Sequence, residues 1–161
     1  MLTLVKPTLE ELSFRQQLLA DEATMTYNHS WGGTIDFPRE RWQEWYMDWV
    51  ESPQKRFYRY LYAKELDAYV GEIAYHYDAE YQKYMANVIV MDRCRGHGYG
   101  REGLLLLCQA AKEHGLPGLC DDIAPDNSAI RLFIQQGFVE LWRNDVCIML
   151  EKKFGGACQG G

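Results

Sequence analysis

The chain has 161 residues, of which 47% are hydrophobic and 25% charged, and its formal net charge is −6. That length suits one domain with a single core of mixed helix and sheet, and the composition excludes a disordered chain. The acidic balance argues against a nucleic-acid partner and mildly favours cationic substrates; no uncharged apolar run of about eighteen residues marks a membrane partner.

The opening residues, MLTLVKPTLEEL, have no long apolar core followed by a small-residue cleavage site, so the expected location is the cytoplasm. Five cysteines, Cys94, Cys108, Cys120, Cys147 and Cys158, are odd in number and widely spaced, with no Cys-x-x-Cys pair. They suggest neither a zinc site nor a disulfide framework, and no metal is expected. Cys108 and Cys147 lie in apolar runs and read as core, whereas Cys94, beside Arg95, has the more reactive setting.

In chain order, residues 2–6 alternate like a short strand. Thr8 then caps a helix through about residue 20, with Glu11 completing a capping box and Leu9, Leu12, Leu18 and Leu19 on the apolar face. Residues 21–38 have no sustained period, and a loop that long in a compact domain is often functional. Residues 39–51 place Trp42, Trp45, Tyr46 and Trp49 at helical spacing, the mark of a buried helix face that can also wall a pocket. Residues 56–64 and 68–77 are aromatic and β-branched around a turn at Glu65-Leu66-Asp67, and read as an antiparallel hairpin. Residues 78–83 turn the chain into an apolar strand over 85–91.

Next comes Arg95-Gly96-His97-Gly98-Tyr99-Gly100-Arg101, with glycine at every second position, followed by a leucine-rich helix to about residue 114. Glycines let a ligand approach the backbone, and the unpaired N–H groups and dipole at the start of a helix attract an anion, with Arg95 and Arg101 beside it. Strand, basic glycine turn and helix together make a phosphate site. Gly115 and Pro117 stop the helix, and residues 119–124 form a strand that the crossover sets parallel to 85–91. Asp126 or Asn127 caps a helix over 128–136, and residues 139–143 and 146–152 close the fold as a hairpin around Asn144-Asp145. The glycine-rich residues 154–161 are expected to be a disordered tail, leaving 1–153 as the domain.

Arg95-x-x-Gly98-x-Gly100 resembles the pyrophosphate-binding signature of the GNAT superfamily of acetyl-CoA-dependent N-acetyltransferases. About thirty residues on, Asp126-Asn127-Ser128-Ala129 through Leu132-Phe133 to Gly137-Phe138 resembles a second segment of that family. The element order also matches. The resemblance implies an α/β (α+β) domain: a central mixed, mostly antiparallel sheet with one parallel strand-helix-strand crossover and helices on both faces. It further implies acetyl-CoA as co-substrate and an amine acceptor. The N–H groups of Gly96, His97, Gly98, Tyr99, Gly100 and Arg101 would cradle the pyrophosphate, Val88, Ile89 and Val90 would lie along the pantetheine arm, and Asn127, or Asp126 if the helix is shifted by one, would contact the cofactor.

The implied chemistry asks for two proton transfers, since an amine of pKa near ~10.4 must lose a proton before attacking and the leaving thiolate can take one. The family places an acidic base where this chain has Asp121 or Asp122. Strand alternation lets only one of them face the substrate; matching the following apolar neighbour favours Asp122, while counting back from the next helix favours Asp121. Glu72 and His76, four apart on one hairpin face, could supply a base directly or through water. Phe133 stands where the family usually has a tyrosine that protonates the thiolate, so the acid must be another tyrosine or water, or be absent. Tyr27, Asn28 and Trp31, with His29, are expected on the acceptor wall.

Two other readings stand beside this one. Gly98-x-Gly100-x-x-Gly103, with Asp121 or Asp122 as ribose-binding acid, also fits the fingerprint of a dinucleotide-binding oxidoreductase domain. Phe133 is equally compatible with a CoA-binding module that does no chemistry. The aromatic-rich helices are compatible with a homodimer.

Overall fold

The computed structural model describes residues 1–155. Strands β1 (Leu2–Val5), β2 (Arg56–Ala63), β3 (Ala68–Asp78), β4 (Lys83–Val90), β5 (Gly118–Ile123), β6 (Val139–Arg143) and β7 (Ile148–Lys153) form one sheet in the order β1-β2-β3-β4-β5-β7-β6. Helices α1 (Leu12–Ala20), α2 (Trp42–Tyr46), α3 (Tyr99–Glu113) and α4 (Ala129–Gln135) complete it. All neighbouring strands are antiparallel except β4 and β5, the pair joined by the α3 crossover.

Register assigns the faces. Arg56, His76 and Met85 lie opposite one another across β2, β3 and β4, as do Tyr58, Ala74 and Asn87, and Tyr60, Glu72 and Ile89. Side chains alternate along a strand, so these residues share one face. Here α1 is fastened: the Tyr60 hydroxyl donates to Glu11 O at 2.6 Å and accepts from the Arg15 N–H at 3.1 Å. Leu61 and Ile73 point to the opposite face and meet α3, where a Cβ on Gly103 would come within 3.0 Å of Leu61. α3 buries Leu104, Leu107, Cys108 and Ala111 along one stripe, and Leu107→Ala at its centre should cost about 2–5 kcal/mol.

The strand pair that matters most is the weakest. β4 and β5 share a single bridge, Met85 with Cys120, after which residues 86–90 pair with β3 alone. An antiparallel strand aims alternate N–H and C=O groups to either side, so every second residue of this stretch presents both to the gap.

Several elements depart from expectation for local reasons. The capping box forms, with Thr8 N–H to Glu11 Oε1 at 2.9 Å and Glu11 N–H to Thr8 Oγ1 at 3.3 Å, but a turn separates it from α1, which begins at Leu12. The expected loop over 21–38 contains a 3₁₀ helix, Thr24–Trp31, whose start is held by Asp21 Oδ2 accepting from the Thr24 N–H and hydroxyl. The expected helix over 39–51 is a 3₁₀ turn (Arg39–Arg41), then α2, then a π turn (Met47–Glu51). β7 starts at Ile148 rather than 146, because Asn144 Oδ1 accepts from the N–H groups of Val146 and Cys147 and wraps the turn. Phe154, assigned to the tail, donates its N–H to Pro117 O at 2.9 Å and packs on the core; residues 156–161 of that expected tail lie outside the described residues.

Cys94, Cys108, Cys120 and Cys147 are free and buried, and Cys158 lies outside the described residues. The stripe on α2 turns inward, with Trp42 buried and Trp45 packed on the core, while β6 keeps Val139, Leu141 and Trp142 exposed. Among the described residues no helix is long and apolar enough to cross a membrane, and no three His, Cys, Asp or Glu side chains gather as a metal site.

Candidate active site

The gap between β4 and β5 opens into a cleft of about 850 Å³ that reaches both faces of the sheet. At one end lies the glycine turn. Gly96 and Gly98 adopt φ of 89° and 82°, the left-handed region, and a Cβ built on either would meet nothing within 4 Å. A side chain there would strain the backbone and fill open space in front of it. α3 starts immediately after, with Glu102 N–H to Gly98 O as its first turn, so the N–H groups of Tyr99, Gly100 and Arg101 have no partner within the helix. Among the described residues, the N–H groups of Gly96, His97 and Gly98 also lack a backbone acceptor. This is a concave row of donors at the positive end of a fifteen-residue helix.

The side chains of the motif are mostly employed elsewhere. Arg95 lines the cleft but spends its guanidinium on Val90 O (3.2 Å), Thr24 O (3.0 Å) and Asp92 Oδ1 (3.3 Å). Together with Asp92 N–H donating to Thr24 Oγ1 at 2.8 Å, this ties the 24–31 segment to the end of β4. The His97 ring lies tilted against Tyr99, with centroids 5.6 Å apart, and is not part of the cleft wall. Tyr99 is buried and donates to Glu65 Oε2 at 2.6 Å. What the turn offers a ligand is backbone, and Arg101 lies on the wall with no ion pair among the described residues.

Val88, Ile89 and Val90 line the middle of the cleft, facing Ala129, Leu132 and Phe133 of α4. Phe133 is buried and sits edge-on to Phe138, with ring centroids 4.9 Å apart. Asn127 lies on the wall and accepts from Ala129 N–H through Oδ1 at 2.9 Å, so its side-chain oxygen opens α4.

Asp121 and Asp122 both reach the cleft, from opposite faces of β5. Asp122 shares its face with Cys120 and Met85, hence with His76, while Asp121 shares the other with Leu119 and Ile123. Burial raises the Asp122 carboxyl, helped by Asp78 and opposed by His76. Burial raises Asp121 much further, with Asp122 adding to it. Burial lowers the His76 imidazole, which leans on Trp49 with centroids 5.9 Å apart. Glu72 is fully enclosed: its Oε1 accepts from the Tyr58 hydroxyl, its Oε2 from Asn87 Nδ2 at 2.9 Å, and Arg15 Nε lies 3.4 Å away.

Tyr27, Asn28 and Trp31 all reach the wall from the 24–31 segment. Burial, then the nearby Glu72, raises the Tyr27 hydroxyl, which therefore stays protonated. Tyr75 instead bonds His114 Nδ1 at 2.7 Å, and neither it nor Tyr84 reaches the cleft. His29 Nε2 meets Asp126 Oδ2 at 3.0 Å and joins the 24–31 segment to the β5–α4 loop. Arg15 and Tyr58, unexpected from sequence, also line this part, as does Trp45. The stripe at 42–49 hinted at Trp45, but nothing near Arg15 marks it as facing a ligand.

Residues 1–139 match the acetyltransferase (GNAT) domain family, and the chain belongs to it. The fold is shared with a domain from Methanocaldococcus jannaschii (TM-score 0.76, 16% identity, covering 96% of this chain and 99% of that one). It is also shared with the PaiA N-acetyltransferase of Thermoplasma acidophilum in complex with coenzyme A (TM-score 0.69, 15% identity, 96% and 99% covered). A third is the spermidine N-acetyltransferase of Vibrio cholerae in complex with CoA and spermine (TM-score 0.73, 17% identity, 94% and 95% covered). No curated protein matches the sequence.

The dinucleotide reading of Gly98, Gly100 and Gly103 falls here. A doubly wound nucleotide fold needs successive parallel strands, and this sheet has one parallel pair; Gly103 is inside α3, packed on Leu61.

Proposed function

We propose that the chain transfers an acetyl group from acetyl-CoA to a primary amine by direct attack within a ternary complex. The observation that carries this reading is the parting of β4 from β5 after one bridge, beneath the donor row at the start of α3. Acetyl-CoA supplies an activated thioester. The N–H groups of residues 96–101 would hold its pyrophosphate, and the inward-facing N–H and C=O groups of 88–90 would hold its amide-bearing arm. An N–H of β4 aimed at the gap would also stabilise the negative charge that develops on the carbonyl oxygen. Leu132 and Phe133 would keep water from the thioester, and Asn127 would set the start of α4 against the cofactor.

Asp122 is the residue proposed to take the amine proton, with the neutral His76 beside it, because both face the acceptor side of β4 and β5. Glu72 is committed to Tyr58 and Asn87, which fits it to organising the wall. With Phe133 lacking a hydroxyl, the Tyr27 hydroxyl on the cleft wall is the proposed partner of the leaving thiolate; its raised pKa keeps it protonated and makes it a weak acid. Tyr27, Asn28 and Trp31 would position the acceptor. The spermine in the Vibrio cholerae complex supports an amine in this role.

The test is release of free CoA thiol from acetyl-CoA across a panel of amines, with the acetylated product read by mass. Amine-dependent release is expected. Tight acetyl-CoA binding with no release for any amine would favour a CoA-binding module without chemistry.

A further inference from the structure

One cation in the acceptor half of the cleft is left half-used. Arg15 projects from α1 onto the wall, its side chain only 16% exposed. Its guanidinium lies over Trp45 at 4.3 Å and Phe37 at 4.6 Å, with Tyr58 at 5.8 Å. Those contacts hold a planar cation by its faces and satisfy none of its five N–H donors. Glu72 balances the charge at 3.4 Å from Nε, but off the hydrogen-bonding direction, so Nε has no hydrogen-bond partner. Among the described residues, none accepts a hydrogen bond from the two terminal nitrogens either. Unlike Nε, the terminal nitrogens are not buried, so they are open to a ligand in the cleft, and a guanidinium presents that pair as a fork that matches two oxygens.

The same arrangement disfavours a long polycation. Around Arg15 the aromatic faces that could receive a second ammonium group are covered by the chain's own cations: Phe37 and Trp45 by Arg15, and Trp49 by Arg56 at 5.0 Å. A second positive charge placed on that part of the wall would have to displace Arg15 or lie against it, which leaves Tyr27 and Trp31 as the aromatic faces open to one.

We infer that the acceptor carries, besides the amine to be acetylated, a carboxylate that docks on the fork of Arg15. The substrate class is then an amino acid or other amino carboxylate rather than a diamine or polyamine. This rests on the acetyl-transfer reading of the cleft and narrows it. Trp45 and Phe37 fix the plane of the fork, Glu72 holds its root, and Asp122 and His76 stand at the amine end.

The experiment measures kcat/KM by thiol release for α-amino acids and for ω-amino acids of increasing chain length. Each is compared with its primary amide, with the diamine of equal length, and with spermidine. The carboxylate member of the best series should lead its amide and diamine by at least tenfold, because a site built to hydrogen-bond a group rejects analogues that lack it. Arg15→Gln should shrink that lead to about threefold or less while calorimetry shows acetyl-CoA binding unchanged, since the lost interaction is with the acceptor alone. If removing the partner of buried Glu72 unfolds that variant, Arg15→Lys keeps the charge without the fork and should still lose most of the preference. A lead for spermidine or the diamines, or a carboxylate preference that survives at full size in either variant, overturns the inference and leaves acetyl transfer standing. Binding of acetyl-CoA with no transfer to any class overturns the acetyl-transfer reading, and this inference with it.

Discussion

Around the start of α3 the cleft wall is backbone: a row of N–H groups from residues 96–101 and the free edge of β4. On the side proposed for the acceptor it is side chains drawn from α1, the 24–31 segment, the 42–49 region and four strands, with Glu72 held by Tyr58 and lying 3.4 Å from Arg15. A backbone site needs only the right turn at the right helix end, so one contiguous motif builds it. A side-chain site exists only after distant segments have packed, and a single exchange can retune it. The first half therefore suits the part of a reaction that stays fixed, and the second the part that sets which substrate is taken.

Four substitutions probe that division, in descending order of expected effect. Asp122→Asn should lower the acetylation rate roughly a hundredfold near neutral pH, with recovery as pH approaches the amine's own pKa of about 10.4 and no base is needed. Equal and pH-independent losses in Asp122→Asn and Asp121→Asn would move the base to Glu72 or His76, or remove it.

Gly98→Val should weaken acetyl-CoA at least tenfold, about 1.4 kcal/mol, by placing a branched side chain where the phosphate would sit. The 82° φ at that position also strains any non-glycine residue, so a lower Tm is expected alongside, with the fold retained. Unchanged affinity would remove the backbone cradle from the account.

The third effect concerns stability. Asp121 has its pKa raised well above 3.8 in the fold, so between 3.8 and that raised value the folded state holds a proton that the unfolded chain gives up. Stability contributed at this site therefore falls as pH rises through the window, and below it the penalty vanishes. Asp121→Asn should raise Tm at neutral pH by at least about 2 °C, a change that ~1 kcal/mol makes in a chain of this size, and the gain should disappear in acid. Thermal melts of both proteins across pH check it; a loss of Tm at neutral pH would mean the carboxylate is paired.

Smallest is Phe133→Tyr. If Tyr27 or water serves the thiolate, the added hydroxyl should leave the rate within about threefold, whereas a missing acid would show as a gain approaching the ~10²-fold low end of general-acid catalysis.

The division also explains what could be read in advance. Strand alternation, the turns at Glu65-Leu66-Asp67 and Asn144-Asp145, and the glycine turn before α3 are local signals, and each element formed within a few residues of its expected place. The parting of β4 from β5 has no local signal, because no residue pattern in 85–91 encodes where pairing stops. Arg95 is the instructive case. Its position in the motif suggested a phosphate ligand, yet three oxygens from Val90, Thr24 and Asp92 claim its donors, two of them backbone carbonyls that no side-chain pattern reveals. Arg15 is the converse. It sits in α1, whose buried residues are Leu12, Leu18 and Leu19, and the packing of Phe37, Trp45 and Tyr58 holds it at the cleft. The 3₁₀ helix at 24–31 escaped for a similar reason, since its order comes from Thr24 and Arg95 bridging to the end of β4.

The most direct test of the central claim is calorimetry of the purified chain with acetyl-CoA and with NAD, followed by addition of an amine to the acetyl-CoA complex. The account predicts one acetyl-CoA bound per chain, no binding of NAD, and free thiol appearing only once the amine is present. Binding of NAD, or failure of acetyl-CoA to bind at all, would contradict it.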